Sequence, residues 1–484
     1  MLLDPKILKV NFKNILTNPI FKILKESVAE INLKSYLVGG FVRDLLIERL
    51  NKKDIDIVVV GSGIELANKV KKKLKNPSKI QIFKSYGVAM LKWKDLTLEF
   101  VGSRKESYSS NSRNPKISFG TLHEDLQRRD FTINTLAISL NRENYGSLID
   151  PFKGVLDLKN KIIKTPLDPI KTFSDDPLRM LRAIRFCSQL NFKIESNSLQ
   201  AIKENSDRIS IITNERIVIE LNKIIETENP SKGFIILEKT GLLKKLIPEL
   251  TNLKGVEEIE GKTHKENFFH TLEVVDNISK HTNNIWLKWA AILHDIGKPV
   301  TKKFNKKVGW TFHGHESVGA KMVYRIFKRL KMPLNEKMKY VQRLVFMSSR
   351  PIILSESEVT DAAVRRLVFD SGKLLEDLIC LCEADITTKN PKRFQKYHEN
   401  FKIIREKIRI VEERDRIRNF QPPISGKKIM EYFGLKPCKK VGIIKETIKE
   451  AILEGEISNK YSDAFTLMKK KGSEMGLKPD ENKF

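Results

Sequence analysis

The order of apolar and polar residues predicts a mixture of strands and helices between residue 35 and about residue 150. Val42, Leu45, Leu46 and Leu50 are apolar residues at helical spacing, which predicts a helix. The polar stretch 103–119, rich in Ser and Asn, indicates a mobile loop. Short apolar runs between polar turns are typical of strands and occur at Tyr36–Val38, Asp54–Val60, Ile80–Phe83, Val88–Trp93 and Leu96–Val101.

Beyond about residue 165 the strand patterns become rare, and apolar residues recur at the three- and four-residue intervals of helices. Residues 1–34 are also helical and basic in pattern, and Gly241 and Pro248 indicate a boundary near residue 250. The predicted fold class is therefore α+β. A mixed α/β head with a small sheet (1–165) precedes a helical neck (166–250), a second helical domain (251–400) and a basic helical tail (401–484).

The chain carries a large excess of positive charge, with 89 Lys and Arg against 60 Asp and Glu and a formal net charge of +29. Such an excess favours a polyanionic partner such as RNA or DNA, although a lysine-rich genome produces a similar bias. The four cysteines form neither a CxxC pair nor a disulfide ladder, which fits a reducing cytoplasm. No secretory signal and no membrane span are expected, because the apolar runs are too short.

Asp54 and Asp56 are the first candidates for chemistry. Alternate residues of a strand share a face, so these two carboxylates project together. They repel each other unless a cation lies between them, which favours a divalent metal. Gly39-Gly40 lets the backbone approach a phosphate closely, and Glu99 in a later strand is a candidate third carboxylate. The alternative is an ordinary glycine turn, aspartates at a strand edge and a solvent-facing Glu99.

The segment RRDFTINTLAISL, residues 128–140, is predicted to form a helix with an apolar stripe along one side. Its polar start would favour phosphate, because the N-terminus of a helix carries partial positive charge. The alternative is a solvated helix end. The polar residues concerned are Arg128, Arg129, Asp130 and Asn134.

A further amphipathic helix is predicted over residues 175–186, with Arg179, Arg182 and Arg185 close to one edge. Asp176 before Pro177 is also a strong signal for a helix N-cap, since Pro suits the first helical position.

Residues 255–400 contain seven of the eight histidines. His270, the adjacent pair His294-Asp295, and Asp385 fall on separate predicted helices, each near an apolar face. A helical core can hold a metal ion between histidine and aspartate side chains that are arranged in this way. The alternative for any single one of these histidines is a satisfied core residue.

These motifs, in this order, resemble the class II tRNA nucleotidyltransferases of the poly(A) polymerase and CCA-adding family, which carry a C-terminal HD domain. The resemblance covers roughly residues 30–400. It rests on GGFVRD (39–44), DID (54–56), RRDFTIN (128–134), DPFKG (150–154), DDPLRMLR (175–182), ER (215–216) and the histidine–aspartate set.

The resemblance implies addition of CCA to tRNA 3′ ends, with CTP and ATP as substrates and no nucleic-acid template. Asp54 and Asp56 would bind two Mg²⁺ ions for an in-line displacement of pyrophosphate, and Glu99 is the third candidate catalytic residue. The triphosphate, the ribose and the base would then be held by three successive sets of residues: Gly39, Gly40 and Arg43; Arg129, Asp130 and Asn134; and Asp176, Arg179 and Arg182.

The resemblance also implies a divalent transition metal or Mg²⁺ at the HD site, held by His270, His294, Asp295 and Asp385, and tRNA contacts from the helices towards the C-terminus. The chain departs from the family pattern in two motifs. Asp175 replaces the usual Glu of the base-reading motif, and Ser348 and Ser349 stand where a further His is common before Arg-Pro. We therefore expect one ion rather than two at the HD site. Poly(A) addition, A-only addition, an HD phosphohydrolase acting on RNA ends and a non-catalytic RNA-binding protein are the alternatives.

Overall fold

The structure, a computed structural model, describes residues 2–3, 16, 18–49, 53–84, 87–109, 112–264, 266–356, 360–415 and 422–480. It divides into two compact units, Met1–Pro248 and Glu249–Phe484. The helix predicted within residues 1–34 is found at Pro19–Ile31, and the rest of that prediction, up to residue 17, lies almost entirely outside the described residues.

The first unit is built on an eight-stranded sheet in the order β1-β10-β9-β2-β3-β6-β5-β4. β3 and β6 are parallel, and the remaining neighbours in this sheet are antiparallel. The strands of the unit, of which β7 and β8 form a separate pair, are β1 (Leu2–Leu3), β2 (Ser35–Val38), β3 (Asp54–Val59), β4 (Gln81–Phe83), β5 (Val88–Trp93), β6 (Leu96–Gly102), β7 (Arg104–Ser109), β8 (Ser112–Phe119), β9 (Ala137–Ser139) and β10 (Leu148–Ile149).

The helices of the head are α1 (Pro19–Ile31), α2 (Gly40–Leu46), α3 (Gly63–Lys73), α4 (Leu122–Gln127) and α5 (Gly154–Lys159). Helix α3 packs on β3, β5 and β6 and covers one face of the sheet. On the opposite face Val58 is buried with Tyr36 and Val38 beneath Leu126 of α4. Asp54 and Asp56 share that face with Val58, towards the end of β3 that α4 leaves open.

The predicted mobile loop at 103–119 is a β-hairpin instead, because β7 and β8 pair antiparallel with a register shift between Ser107 and Ser109. Ladder hydrogen bonds join backbone groups, so a polar strand pairs as well as an apolar one. The base of the hairpin is tied to the next segment, since Arg128 NH1 donates to Glu106 Oε1 at 2.9 Å.

The helix predicted at 128–140 is wrong. Helix α4 ends just before this segment, which then forms a single 3₁₀ turn at Thr132–Asn134 and strand β9. Gly154 explains part of this packing. A Cβ at Gly154 would lie 2.2 Å from the carbonyl oxygen of Thr132, so only glycine allows the two backbones to approach this closely.

Helices dominate the remainder of the first unit, as predicted. The helix predicted at 175–186 is split, because Asp176 has extended backbone (φ −135°, ψ 94°) and a new helix begins after Pro177. The elements are β11 (Ile162–Ile163) parallel to β12 (Lys193–Ile194), α6 (Pro169–Asp175), α7 (Leu178–Leu190), α8 (Ser196–Glu204), a 3₁₀ helix (Ser206–Ile211), α9 (Asn214–Ile225), α10 (Pro230–Lys239) and α11 (Leu242–Leu246). Helix α12 (Pro248–Thr251) begins at the last residue of this unit and continues into the second.

The second unit is helical apart from two small hairpins, so the predicted α+β class is confirmed. None of the described helices is long and apolar enough to cross a membrane. The elements are β13 (Glu258–Ile259), β14 (Lys262–Thr263), α13 (Asn267–Ser279), α14 (Ile285–Leu293), α15 (Lys298–Thr301), β15 (Lys303–Asn305), β16 (Gly309–Thr311), α16 (His315–Arg329), α17 (Glu336–Met347), α18 (Arg350–Glu356), α19 (Asp361–Ser371), α20 (Leu375–Ala384), α21 (Pro391–Asp415), α22 (Gly426–Phe433), α23 (Lys439–Glu454) and α24 (Tyr461–Glu474).

Candidate active site

The glycine turn and the aspartate pair meet at the end of β2. Val38 pairs with Asp56 across β2 and β3, so Gly39 directly follows the residue that faces Asp56. Gly39 has φ +71°, a conformation that side chains rarely adopt. A Cβ there would lie 2.9 Å from Arg129 NH1 and 3.4 Å from Asp56 Oδ2. A side chain at Gly39 would therefore be strained by this φ and would displace the Arg129 guanidinium.

Glu99 lies beside the aspartate pair. It pairs with Asp56 across the parallel strands β3 and β6, which directs both side chains to the same face. Burial raises the pKa of Glu99, and the charges of Asp56 and Asp54 raise it further. Oxygen donors crowded with like charge are the set that a hard divalent cation such as Mg²⁺ prefers, so these residues fit the metal that the sequence predicted.

Asp54 and Asp56 line a cavity of about 1040 Å³ within the first unit. Glu99 is not among its lining residues. The structure thus brings together the remaining head and neck residues predicted for the site, which all line the cavity: Gly39, Gly40, Arg43, Asp54, Asp56, Arg129, Asp130, Asn134, Asp176, Arg179 and Arg182.

Asp130 accepts hydrogen bonds from two other residues that line this cavity. Its Oδ1 accepts from Asn134 Nδ2 at 2.9 Å, and its Oδ2 accepts from Arg182 Nε at 2.7 Å. Burial alone would raise the pKa of Asp130, but Arg182 and the hydrogen bond from Asn134 outweigh it and lower that pKa to about 2. Asp130 is therefore an anion that fixes Arg182 of α7 against the head.

Arg43 is held inside the protein, with a side chain only 1% exposed. Its Nε donates to Asp44 Oδ1 at 2.8 Å, and its NH1 donates to Asn134 Oδ1 at 2.6 Å. Arg43, Asn134, Asp130 and Arg182 thus form one continuous chain of hydrogen bonds along the cavity wall.

Arg179 and Asp176 enter the cavity from the start of α7. Arg179 NH2 donates to the carbonyl oxygen of Arg128 at 2.7 Å. Asp176 Oδ1 accepts from the backbone N–H of Leu178 at 3.3 Å, which is the capping contact that the Asp-Pro signal predicted.

A separate cluster lies in the second unit, where ligand atoms of His270, His294 and Asp385 all lie within 4.8 Å of one another. His270 belongs to α13, whereas His294 and Asp385 directly follow the last residues of α14 and α20. Asp295 lies beside this group, with Oδ2 at 3.4 Å from His294 Nε2 and at 2.6 Å from Lys298 Nζ. A cavity of about 660 Å³ opens next to His270 and Asp385.

The chemistry of this cluster fits a cation. Nδ1 of His294 lies 2.8 Å from the carbonyl oxygen of Ala291, an acceptor that fixes the proton on Nδ1 and leaves Nε2 facing Asp385. Nε2 of His270 lies 2.6 Å from Asp385 Oδ1 and Nε2 of His294 lies 3.5 Å from the same oxygen, so both imidazoles converge on this carboxylate. Burial alone would lower the pKa of His294, but Asp295 and Asp385 raise it to about 10. The surroundings of His294 therefore stabilise a positive charge at this position.

Three family models match separate segments of the chain. The poly A polymerase head domain family matches residues 35–164, and the family described as the probable RNA- and SrmB-binding site of polymerase A matches residues 191–254. The HD domain family matches residues 267–390.

Two relatives show which family the chain belongs to. An A-adding tRNA nucleotidyltransferase of Deinococcus radiodurans is 30% identical over 345 residues, which cover 69% of this chain and 76% of the relative. A multifunctional CCA protein of Shewanella frigidimarina is 32% identical over 381 residues, which cover 73% and 84% respectively. The chain belongs to the tRNA nucleotidyltransferase family.

A solved structure supports the same family membership. A CCA-adding enzyme in an apo form has 25% sequence identity and a TM-score of 0.61, with 96% of this chain and 94% of that chain covered. The resemblance drawn from the motifs is confirmed, and the protein is an enzyme that combines a nucleotidyltransferase head with an HD domain.

Sequence reasoning missed a residue that organises the nucleotidyltransferase site, Asp125. Its side chain is fully buried, with Oδ1 accepting from Arg128 and Oδ2 accepting from Arg129 at 3.0 Å. Burial alone would raise the pKa of Asp125, but Arg129 and Arg128 together lower it. The signal was present in the sequence, because Asp125 precedes the two arginines by three and four residues.

The HD domain has no histidine ligand at the position occupied by Ser348 and Ser349. Ser348 is buried, and its hydroxyl donates to the carbonyl oxygen of Val345 in its own helix. The Ser349 hydroxyl donates to Glu316. Among the described residues of the HD domain, the metal-ligating side chains whose ligand atoms all lie within 4.8 Å of one another are those of His270, His294 and Asp385.

Proposed function

We propose that this enzyme adds C and A residues from CTP and ATP to the 3′ end of tRNA without a nucleic-acid template. The observation that carries the proposal is the pair of carboxylates, Asp54 and Asp56, in a cavity lined by glycines and arginines, with Glu99 paired to Asp56 on the neighbouring strand. Relatives with CCA-adding and with A-adding names both match the chain, so A-only addition and poly(A) addition are the competing outcomes of the test below.

Asp54, Asp56 and Glu99 would hold Mg²⁺, which supplies charge stabilisation at the reacting phosphate. The RNA 3′-oxygen forms the new bond to the α-phosphorus while the bond from that phosphorus to pyrophosphate breaks. Gly39 lets the backbone approach the triphosphate. Arg129, whose NH1 is next to Gly39, offsets the negative charge that develops on the leaving pyrophosphate.

Base choice would come from the start of α7. Asp176 accepts from the exocyclic amino group that cytosine and adenine share, and Arg179 donates to a ring nitrogen. Uracil presents a carbonyl oxygen at that position, so it would face the carboxylate acceptor to acceptor and leave a polar group unpaired. Arg182, fixed by Asp130, lies farther along the same helix and lines the same cavity.

A second activity is favoured by the His270, His294 and Asp385 cluster, which fits a metal-dependent phosphohydrolase that acts on RNA ends. Two imidazole nitrogens with a carboxylate are a mixed donor set that suits a divalent transition metal, with Mg²⁺ as the alternative. tRNA itself would be held through phosphate contacts, for which the net charge of +29 and the basic helices after residue 401 are suited.

The test is incubation of the purified chain with tRNA transcripts that end before CCA, after C or after CC, with each nucleoside triphosphate supplied singly and in pairs. Stepwise extension by CTP and then ATP supports CCA addition, whereas extension of the CC transcript alone supports A-only addition. The matched control is Asp56→Asn. We expect this variant to slow nucleotide addition at least 10³-fold without loss of tRNA binding, because the metal acts in the reaction and does not bind the tRNA. An active Asp56→Asn variant would refute the assignment of the site.

A further inference from the structure

Phe186 lies in the wall of the nucleotide cavity beneath three arginine side chains. The guanidinium carbons of Arg185, Arg43 and Arg182 lie 4.3, 4.9 and 5.5 Å from the centre of its ring. All three distances are within the range of cation–π attraction, in which the negative face of the ring attracts a cation. The side chain of Phe186 is only 5% exposed.

The ring contacts both ends of the hydrogen-bonded chain in the cavity wall. That chain begins at Arg43, which donates to Asn134, and ends at Arg182, which donates to Asp130. Asn134 and Asp130 join the two halves through their own hydrogen bond. Phe186 therefore touches both the arginine next to the glycine turn and the arginine of the base-reading helix.

The third arginine shows how closely the positive charges are packed. Arg185 Nε lies 3.2 Å from Glu220 Oε2, and both side chains are nearly buried. Burial, together with the charges of Arg182 and Arg43, lowers the pKa of Arg185 to about 10, against the opposing effect of Glu220. Three cations in such proximity repel one another, and an aliphatic residue at position 186 would offer nothing to offset that repulsion.

We propose that Phe186 is a positioning residue for nucleotide binding and base choice, since its ring sets the orientation of Arg43 and Arg182 relative to each other. The proposal rests on the proposed function, because it assigns the two arginines to the triphosphate and to the base. It predicts that loss of the ring weakens nucleotide binding and reduces the preference of the enzyme for one base over another, even though the side chain of Phe186 is almost fully buried.

The experiment compares Phe186→Leu with Phe186→Tyr, which keeps the ring, and with Phe234→Leu as a matched control for lost core packing. Phe234 is fully buried in α10 of the same unit, and none of the cation–ring contacts among the described residues involves it. Both leucine variants should lower the melting temperature. Only Phe186→Leu should raise KM for CTP, by roughly tenfold, the size expected for one or two lost cation–π contacts. It should also reduce the preference for CTP over UTP.

Phe186→Tyr should restore KM and the CTP-to-UTP preference. The proposal is overturned if Phe186→Leu and Phe234→Leu have the same KM and base preference after correction for folded enzyme, or if Phe186→Tyr behaves as Phe186→Leu does.

Equilibrium binding of CTP without RNA separates this proposal from the proposed function. If the wild type binds CTP but does not extend RNA, the proposed function fails, and the affinities of the Phe186 variants still decide the role of the ring. Equal CTP affinity in wild type and Phe186→Leu overturns the positioning role regardless of what the enzyme adds to RNA.

Discussion

Glu99 lies directly opposite Asp56 on the neighbouring parallel strand, and the two carboxylates face the same side of the sheet. Because Glu99 is partly buried and close to two other carboxylates, its pKa is raised. A raised pKa means that the folded protein binds this proton more tightly than the unfolded chain does. The charged form of Glu99 therefore destabilises the metal-free fold, and that cost is relieved when the group is neutral or when a cation is bound.

We expect Glu99→Gln to stabilise the metal-free protein at neutral pH by a few degrees in melting temperature. Stability from the proton on Glu99 is fully present below the ordinary Glu pKa of about 4.3 and is lost as pH rises through the raised pKa. The difference between variant and wild type should therefore vanish in acid and grow with pH. Thermal melts with EDTA across this range check it, with exposed Glu204→Gln as the control. A Glu99→Gln variant less stable than wild type at pH 7 in EDTA would contradict the prediction.

Gly39→Ala tests the close contact of the glycine turn, and Gly241→Ala is its matched control. Both glycines have positive φ, +71° and +77°, but Gly241 has open space around its Cβ position while Gly39 faces Arg129 and Asp56. Gly241→Ala should destabilise the fold by about 1–2 kcal/mol, because Gly241 (ψ −4°) has left-handed helical backbone. Gly39 has ψ −136°, outside that region, so Gly39→Ala should cost at least as much.

Only Gly39→Ala should also reduce kcat/KM for nucleotide addition, by roughly 10²-fold, because it displaces groups that must be placed to within about 1 Å. Melting temperatures and steady-state kinetics of both variants give the comparison. Equal kinetic losses in the two variants would mean that the crowding at Gly39 has no functional role.

The common face of the carboxylates at 54 and 56 could be predicted from sequence, because the period of a strand is fixed at two residues. The pairing of Glu99 with Asp56 could not. Parallel strands are joined by long connections, here through α3 and two further strands, and nothing local sets their register.

The segment after Asp130 shows a different limit. Leu136, Ala137, Ile138 and Leu140, in and beside strand β9, are all fully buried. This segment therefore does not alternate between buried and exposed residues, and the spacing of its apolar residues fits a helix equally well. Phe186 was similarly hidden, since one aromatic residue on an amphipathic helix gives no sign of the arginines from other segments that surround it.

The HD domain should bind one divalent ion tightly, through His270, His294 and Asp385. Metal analysis of the Asp54→Ala/Asp56→Ala variant should therefore find one tightly held ion per chain, because Ser348 and Ser349 supply no further imidazole. Two tightly held ions in that variant would contradict this expectation.

Removal of that ion should lower the melting temperature, since a ligand that binds only the folded state stabilises it. His294→Ala/Asp295→Ala should abolish this dependence on chelator and any phosphohydrolase activity, without slowing nucleotide addition. Exposed His281→Ala is the control and should behave as wild type. If the double variant kept its fold but also lost nucleotide addition, that result would contradict the assignment of two separate sites.

Asp176→Ala separates base choice from helix capping. Asp176 accepts from the N–H of Leu178, so its loss should destabilise the fold by about 1 kcal/mol whatever else it does. Asp168 offers a matched control. It also precedes a proline, it caps α6 by accepting from the N–H of Lys171 at 2.9 Å, and it does not line the cavity.

Both Asp→Ala variants should therefore lose similar stability, but only Asp176→Ala should narrow the preference for CTP and ATP over UTP and GTP. The reason is that an acceptor aimed at the exocyclic amino group penalises the bases that present a carbonyl oxygen there, and alanine removes that penalty. The measurement is kcat/KM for all four nucleotides on one tRNA transcript, beside the melting temperature of each variant. If the nucleotide ratios of Asp176→Ala stay at wild-type values while its melting temperature falls as in Asp168→Ala, Asp176 is a cap alone, and base choice comes from Arg179, Arg182 or another group in the cavity.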